Sequence, residues 1–185
     1  MTLPRSLAAL AAALLSTTAP ALEVADVNVP DAATVGGQPL VLNGAGLRKK
    51  FIIKVYVGAL YLSQRQSDAA AILAADAPWK VSMFMKRDVD HEKIVGAFKE
   101  GFEKNSPGEL AQHLASLKAW EAILVDLKEG QELAITYLPG EGTTLTAPSG
   151  KVSTVPGAAF GAAILRNWLG AHPADGDLKK GMLGS

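Results

Sequence analysis

An arginine, a lysine and a tyrosine around one apolar segment are the residues of this chain best suited to bind an anion. Arg48 precedes the segment, and Lys54 is the only charged residue within the apolar run of residues 51–62. Lys54 and Tyr56 lie two positions apart, so in a β-strand their side chains point to the same face, which Arg48 joins if the strand continues back to it. A guanidinium binds a carboxylate or enolate through two parallel hydrogen bonds, and a phenol can add a third. Apolar surroundings would strengthen such a site by excluding water.

The same residues are also compatible with an ordinary sheet that binds nothing. In that interpretation Arg48 and Lys54 extend into solvent at a sheet edge, and Tyr56 is part of the core. Spacing alone favours this second interpretation, so the anion site depends on further evidence.

Other motifs that could carry chemistry are incomplete. The three histidines are not at metal-ligand spacing from one another, and they are His91, His113 and His172. The glycine-rich residues 43–46 lack both the third glycine of a dinucleotide site and the Gly-Lys-Ser/Thr of a P-loop, which favours a bulge or a close backbone approach. No Gly-x-Ser-x-Gly motif is present, and the absence of cysteine excludes thiol nucleophiles and iron–sulfur clusters. We therefore expect no metal and no cofactor.

Net charge excludes another class of partner. The chain has 18 Lys+Arg and 18 Asp+Glu, so it has no basic field to attract nucleic acid. Beyond the N-terminal segment, no apolar run approaches the length that spans a membrane.

These residues must be positioned by a mixed fold. Strands are predicted in residues 39–62 with a tight turn near residues 48–50, and at 79–86, 132–138, 143–146 and 151–155. Helices are predicted at residues 67–75, 90–104, 106–124, 157–169 and 175–183. This order predicts an α+β fold with a mostly antiparallel sheet and helices packed on one of its faces. Alternating or helically spaced apolar residues, Met83, Met85 and Phe98, are candidates for the wall of a pocket between the two layers.

The N-terminal 21 residues are predicted to be a signal peptide. Arg5 precedes an apolar run at residues 7–15, and Ala19-Pro20-Ala21 forms a small-x-small cleavage signal. The alternative is an apolar terminal helix that packs on the domain. Cleavage would leave one domain, residues 22–185, in the periplasm or secreted.

Residues 42–48 and 51–62 resemble the chalcone isomerase-like family. They contain counterparts of its Gly-Ala-Gly-x-Arg strand, ending at Arg48, and of its Lys-x-x-x-x-x-x-Tyr-Leu strand, which runs from Lys54 to Leu62. The tail, residues 167–184, looks like the bacterial, exported branch of the family. The resemblance implies an antiparallel sheet with helices layered on it and a ligand cleft between them. This agrees with the fold that the element order predicts.

The resemblance also implies ligand-binding residues. Arg48 matches the arginine that, in the isomerases of the family, orients a phenolate and stabilises enolate charge. Tyr56 stands where the isomerases have a threonine, and Lys93 matches the lysine of their helix-start motif. Asn167 replaces a serine or threonine of the last long helix. The predicted ligand-binding residues are thus Arg48, Tyr56, Lys93 and Asn167.

Two other positions differ from the isomerases. Asp90 and Ala97 stand where the isomerases have a tyrosine and an asparagine that contact substrate. An arginine with a tyrosine in place of the threonine suits carboxylate capture better than chalcone cyclisation. We therefore predict a non-catalytic protein that binds a fatty acid or similar apolar carboxylate. The alternatives are an intramolecular lyase acting on a chalcone-like enone, with Arg48 as its catalytic residue, and a scaffold without ligand in which Arg48 is structural.

Overall fold

The structure, a computed structural model, describes residues 22–185. The predicted signal peptide lies outside the described residues. The strands are β1 Leu22–Val24, β2 Val27–Val29, β3 Ala32–Val35, β4 Gln38–Lys50, β5 Ile53–Leu62, β6 Trp79–Met85, β7 Glu132–Leu138, β8 Gly142–Thr146 and β9 Val152–Val155. The helices are α1 Ala69–Ala74, α2 His91–Asn105, α3 Leu110–Glu121, α4 Ala158–Leu169 and α5 Gly176–Met182. Among residues 22–185, no helix combines the length and apolar character needed to cross a membrane.

One seven-stranded antiparallel sheet organises the domain. Its strands follow one another in chain order from β3 to β9, and β1 and β2 form a separate hairpin. Sheet and helices together make an α+β fold, as the order of the predicted elements indicated. Strands β4 to β9 and the helices agree with the predicted segments to within a few residues, whereas β1, β2 and β3 have no predicted counterpart. The predicted fold class is confirmed.

Strand β5 lies near the middle of this sheet and is covered on both faces. Its residues Tyr56, Leu60 and Leu62 belong to the main core with side chains from α1, α2, α3, α4 and α5. Its residues Val57, Ala59 and Tyr61 belong to a second cluster, which the β1–β2 hairpin joins through the fully buried Val29. The five helices therefore have their core on one face, and the hairpin covers part of the other.

The glycine-rich segment of β4 allows helix α5 to approach the sheet closely. A side chain on Gly44 would collide with the carbonyl of Gly181, and one on Gly46 would place its Cβ 3.0 Å from the Cα of Leu178. Leu178 and Met182 of α5 are buried in the main core. These glycines thus serve helix–sheet packing, consistent with the close backbone approach that we predicted instead of a phosphate loop.

The turn between β4 and β5 lies further along the chain than predicted. β4 continues through Lys50, which pairs with Ile53, so Phe51 and Ile52 form the turn. The predicted turn near residues 48–50 is therefore wrong. The strands are longer because Arg48 and Lys49 still find partners on β5.

A β-bulge at Val55 changes which side chains face the helices. Arg48 pairs with Tyr56 and Lys49 pairs with Lys54, so Val55 is an extra residue without a partner on β4. Val55 and Tyr56 consequently both pack in the main core. The extra residue shifts the alternation by one position, and Lys54 is exposed instead of sharing the face of Tyr56.

Candidate ligand-binding cleft

A cavity of about 580 Å³ lies between the sheet and the helices, where the fold was expected to have its cleft. Apolar side chains of β5, β6, α2 and α4 line most of it, and they include Val55, Met83, Ile94, Phe98 and Trp168. Phe98 and Trp168 meet edge to face with ring centroids 6.3 Å apart. Cavities of this size and apolar character are typical of small-molecule sites.

Arg48 and Tyr56 meet at this cavity as a cross-strand pair. They are direct partners on β4 and β5, so their side chains leave the sheet on the same face. The guanidinium carbon of Arg48 lies 5.6 Å from the centroid of the Tyr56 ring, within the range of a cation–π contact. Both residues line the cavity. The ring therefore supports the guanidinium without using any of its N–H donors.

The hydroxyl of Tyr56 is held by a tryptophan. Nε1 of Trp168 donates a hydrogen bond of 2.9 Å to Oη of Tyr56. Burial raises the pKa of Tyr56 to about 12, although the charge of Arg48 and the Trp168 hydrogen bond act in the opposite direction. The phenol is therefore protonated at neutral pH. Because Trp168 is the donor in their hydrogen bond, the hydroxyl proton of Tyr56 stays available to an acceptor in the cavity.

Arg48 forms no salt bridge with any carboxylate of residues 22–185. The two carboxylates that feel its charge have other partners. Asp175 accepts hydrogen bonds from three backbone amides, including that of Lys49 at 2.9 Å; these outweigh the effect of burial and lower its pKa. Glu100 pairs with Lys104 at 2.6 Å, and this contact lowers its pKa. The guanidinium is thus free to bind an anion.

Other charges around the cavity add to the positive potential. Lys50 and Arg87 also line it and, like Arg48, have no salt bridge within the described range. Of the two carboxylates in the lining, Asp88 pairs with Lys128 at 2.9 Å and Glu100 is paired as described. An anionic ligand therefore meets cations that have no salt-bridge partner in the described part of the chain.

Lys93, one of the predicted ligand-binding residues, lines the cavity but has a partner of its own. Its ammonium lies 2.6 Å from the carboxylate of Asp90, three positions earlier at the start of α2. Its side chain is 73% exposed, so it lies at the rim. Its effect on a ligand is therefore screened by solvent and by Asp90.

Asn167 is a deeply buried polar residue of the cavity wall. It is only 4% exposed, and its Nδ2 donates a long hydrogen bond of 3.4 Å to the carbonyl of Phe98. Its Oδ1 has no hydrogen-bond partner among the described residues. Gly101 leaves the space that the carboxamide occupies, since a Cβ at that position would overlap it. The wall thus contains, within an apolar region, a buried acceptor that no other described residue satisfies.

The structure brings together all four predicted ligand-binding residues, because Arg48, Tyr56, Lys93 and Asn167 line the same cavity. Of the candidate wall residues, Met83 and Phe98 line it as well, whereas Met85 is buried elsewhere in the core. Lys54, expected beside Tyr56, does not line it.

Three residues that line the cavity were not predicted from the sequence, namely Trp168, Lys50 and Arg87. The tryptophan lies 112 residues from Tyr56, so no local pattern could join them. The sequence predicts Lys50 in a turn, whereas in the structure the longer strand β4 places it at the cavity.

The histidines lie apart from this cavity. His113 packs between the rings of Phe102 and Phe160, and Nδ1 of His91 lies 2.8 Å from Oδ1 of Asp126. Among residues 22–185, no three His, Cys, Asp or Glu side chains lie together in a way that could hold a metal ion.

Comparison with known proteins agrees with this fold. A family model described as chalcone isomerase-like matches residues 21–184. The crystal structure of a fatty-acid-binding protein of Arabidopsis thaliana superposes with a TM-score of 0.63 at 16% sequence identity, covering 82% of this chain and 89% of that one. No curated protein matches the sequence. The structural likeness extends to the arrangement of sheet and helices.

Proposed function

The chain belongs to the chalcone isomerase-like family, and we propose that it binds a fatty acid or a similar apolar carboxylate in the cavity between the sheet and the helices. The observation that carries this proposal is the free guanidinium of Arg48 beside the protonated hydroxyl of Tyr56, at the edge of an apolar cavity.

The head-group site has the donors that a carboxylate requires. Arg48 offers two parallel N–H donors for a bidentate contact, and Tyr56 offers an O–H that Trp168 orients. A hydrogen bond to a charged group is stronger than one between neutral groups, and apolar surroundings strengthen it further. Arg48 has no salt-bridge partner among residues 22–185, so an anion gains more than it would beside a guanidinium that is already paired.

The remainder of the cavity suits an acyl chain. Met83, Ile94, Phe98 and Trp168 present apolar surface, and about 580 Å³ lies within the range of sites for small apolar molecules. The crystal structure with a similar fold is that of a fatty-acid-binding protein. The apolar wall would hold the acyl chain, and Arg48 with Tyr56 would hold the carboxylate. A fatty acid thus accounts for both parts of the cavity.

Chalcone cyclisation is less well supported by the same residues. The phenol of Tyr56, with its pKa near 12, is a poor base at neutral pH. Lys93 pairs with Asp90, and Ala97 in the cavity wall has no polar group. We expect the loss of chalcone absorbance to be no faster with protein than in buffer. Acceleration that disappears in Arg48→Ala would favour the lyase instead.

Calorimetry on delipidated protein tests the proposal. We expect heat of binding with a medium- or long-chain fatty acid, and Arg48→Ala should weaken the affinity by about tenfold or more because it removes a charged pair of hydrogen bonds. Arg65→Ala is the matched control, because Arg65 donates to the carbonyl of Leu42 and does not line the cavity.

Two outcomes would contradict the proposal. One is the absence of heat at millimolar ligand. The other is an Arg48→Ala protein that is less stable but binds as before, which would make Arg48 structural, as in the scaffold alternative.

We also propose that the protein acts after export, in the periplasm or outside the cell. The support is the charge of Arg5, the apolar residues 7–15 and the Ala19-Pro20-Ala21 signal that follows them. The domain that binds the ligand would then begin at Leu22.

A further inference from the structure

The turn of the β4–β5 hairpin, next to the cavity, exposes two large apolar side chains. Phe51 is 91% exposed and Ile52 is 94% exposed, whereas the next in order among residues 22–185, Val152, is 61% exposed. Isolated exposed apolar residues are common, but two adjacent ones at the end of a projecting hairpin form a small apolar tip. We call Phe51 and Ile52 the hairpin tip.

Cations flank the hairpin tip. Lys49 and Lys50 precede it, Lys54 follows it, and all three are exposed. None of them forms a salt bridge with a residue in the range 22–185. The neighbouring carboxylate of Asp175, which accepts hydrogen bonds from backbone amides of β4 and α5, offsets only part of this positive charge. In a chain of zero net charge, this end of the domain is therefore positive.

Neither the apolar hairpin tip nor the lysines that flank it stabilise the hairpin. Phe51 adopts φ 57°, in the left-handed region that favours glycine or asparagine in a two-residue turn and that costs an aromatic residue free energy. Lys49 and Lys54 are direct cross-strand partners, and like charges in that position repel. A turn selected for stability would have neither, so another property of these residues accounts for their presence.

We propose that the hairpin tip docks the protein on an anionic lipid bilayer. Phe51 and Ile52 insert at the level of the head groups, and the flanking lysines contact the anionic lipids around them. Basic side chains beside exposed aromatic and aliphatic ones are the combination that binds such interfaces, since apolar burial and electrostatic attraction add together.

Docking through the tip also orients the cavity. Lys50 and Ile53, the residues that adjoin the tip on its two strands, line the cavity together with Arg48. The cavity thus lies next to the docked end. This consequence rests on the proposed function, because a fatty acid could then pass between the bilayer and the cavity without crossing water.

The test uses the absence of cysteine from the chain, which allows one polarity-sensitive fluorophore to be attached at a chosen site. The label is placed at Ile52→Cys, and in the control at Val152→Cys on β9, which is also exposed. Vesicles of phosphatidylcholine with and without phosphatidylglycerol are added at low ionic strength. All variants carry the same N-terminal residues, so any contribution of residues 1–21 is common to them.

We expect the emission of the label at position 52 to shift to the blue only with vesicles that contain phosphatidylglycerol, and the label at 152 to remain unchanged. In unlabelled protein, Lys49→Gln with Lys54→Gln should weaken vesicle binding by about fivefold for each lysine. Phe51→Asn should weaken it by about tenfold or more. Because asparagine tolerates this backbone conformation, Phe51→Asn should be at least as stable as the native protein.

Several results would overturn the proposal. These are no shift at position 52, equal shifts at 52 and 152, or equal binding to vesicles with and without the anionic lipid. A shift that depends on protein concentration without vesicles would assign the tip to contacts between copies of this chain. Phe51 does not line the cavity, so fatty-acid affinity in Phe51→Asn should be unchanged; failure of docking is thereby separable from failure of ligand binding.

Discussion

Replacing Tyr56 by phenylalanine tests both the contact that its hydroxyl makes in the structure and the role that we propose for it in ligand binding. The substitution retains the ring, and therefore the surface on which Arg48 rests at 5.6 Å from the centroid. It removes the acceptor of the Trp168 hydrogen bond and the donor proposed for the ligand carboxylate. Any effect can thus be assigned to the oxygen atom.

The expected loss of stability follows from burial of the tryptophan. Trp168 is 2% exposed, so its Nε1–H cannot turn to bulk water when Tyr56 no longer accepts from it. An unsatisfied buried donor costs about 1–3 kcal/mol, and we expect the free energy of unfolding to fall by that amount. Urea denaturation followed by circular dichroism measures it.

The expected loss of affinity is a separate quantity. One hydrogen bond to a charged group contributes about 1.5–3 kcal/mol, which corresponds to a roughly 10- to 150-fold weaker dissociation constant for the fatty acid. Calorimetric titration of the delipidated variant measures this change.

Tyr61→Phe is the matched control for Tyr56→Phe. Tyr61 is buried on the same strand but belongs to the cluster on the opposite face of the sheet, away from the cavity. We expect its affinity to equal that of the native protein. Equal affinity of the two variants would contradict the expected loss of affinity. Unfolding of Tyr56→Phe at the same urea concentration as the native protein would contradict the expected loss of stability.

Three further predictions concern other parts of the molecule. Gly96→Leu should raise the stability of α2 by about 0.5–1 kcal/mol yet weaken fatty-acid binding, because Gly96 lines the cavity and a Cβ there meets no atom within 4 Å; equal binding in a titration would contradict this. The hydrogen bond to Asp126 raises the pKa of His91, so its contribution to stability is complete below the unfolded pKa and is lost as pH rises through the folded one. Proton NMR should therefore show the pKa of His91 falling in Asp126→Asn, and an unchanged titration would be evidence against the contact. Intact-mass spectrometry of protein from its own host should give a chain beginning at Leu22, whereas a full-length mass would exclude cleavage after Ala21.

Local patterns in the sequence were sufficient for the fold class, whereas the principal pair of the proposed site came from the resemblance to the family. The order of strands and helices along the chain predicted a mostly antiparallel sheet, which the structure confirms. The resemblance singled out Arg48 and Tyr56, and they prove to be direct partners across two strands. Their role in binding stays a prediction.

The bulge at Val55 shows why the finer geometry was not predictable. Strict alternation of side chains along β5 places Lys54 on the same face as Tyr56. The extra residue of the bulge shifts this alternation, so the residues of β5 that precede it face the opposite side from the one predicted. A bulge depends on how β4 and β5 pair, which is a property of two strands and not of one. The contact of Trp168 with Tyr56 could not be predicted for a similar reason, since it depends on where α4 packs on the sheet.

The ionisation of a bound fatty acid tests most directly whether Arg48 holds its carboxylate. A fatty acid labelled with ¹³C at the carboxyl carbon is bound to the protein and followed by NMR as pH is lowered. A free aliphatic carboxyl titrates between about pH 4 and 5, and a neighbouring guanidinium lowers its pKa by about 1–3 units. In the native protein, we expect the ¹³C shift of the bound fatty acid to remain that of the ionised carboxylate below about pH 4. In Arg48→Ala, we expect it to change to that of the protonated acid at a higher pH. A bound carboxyl that titrates identically in the two proteins would contradict it.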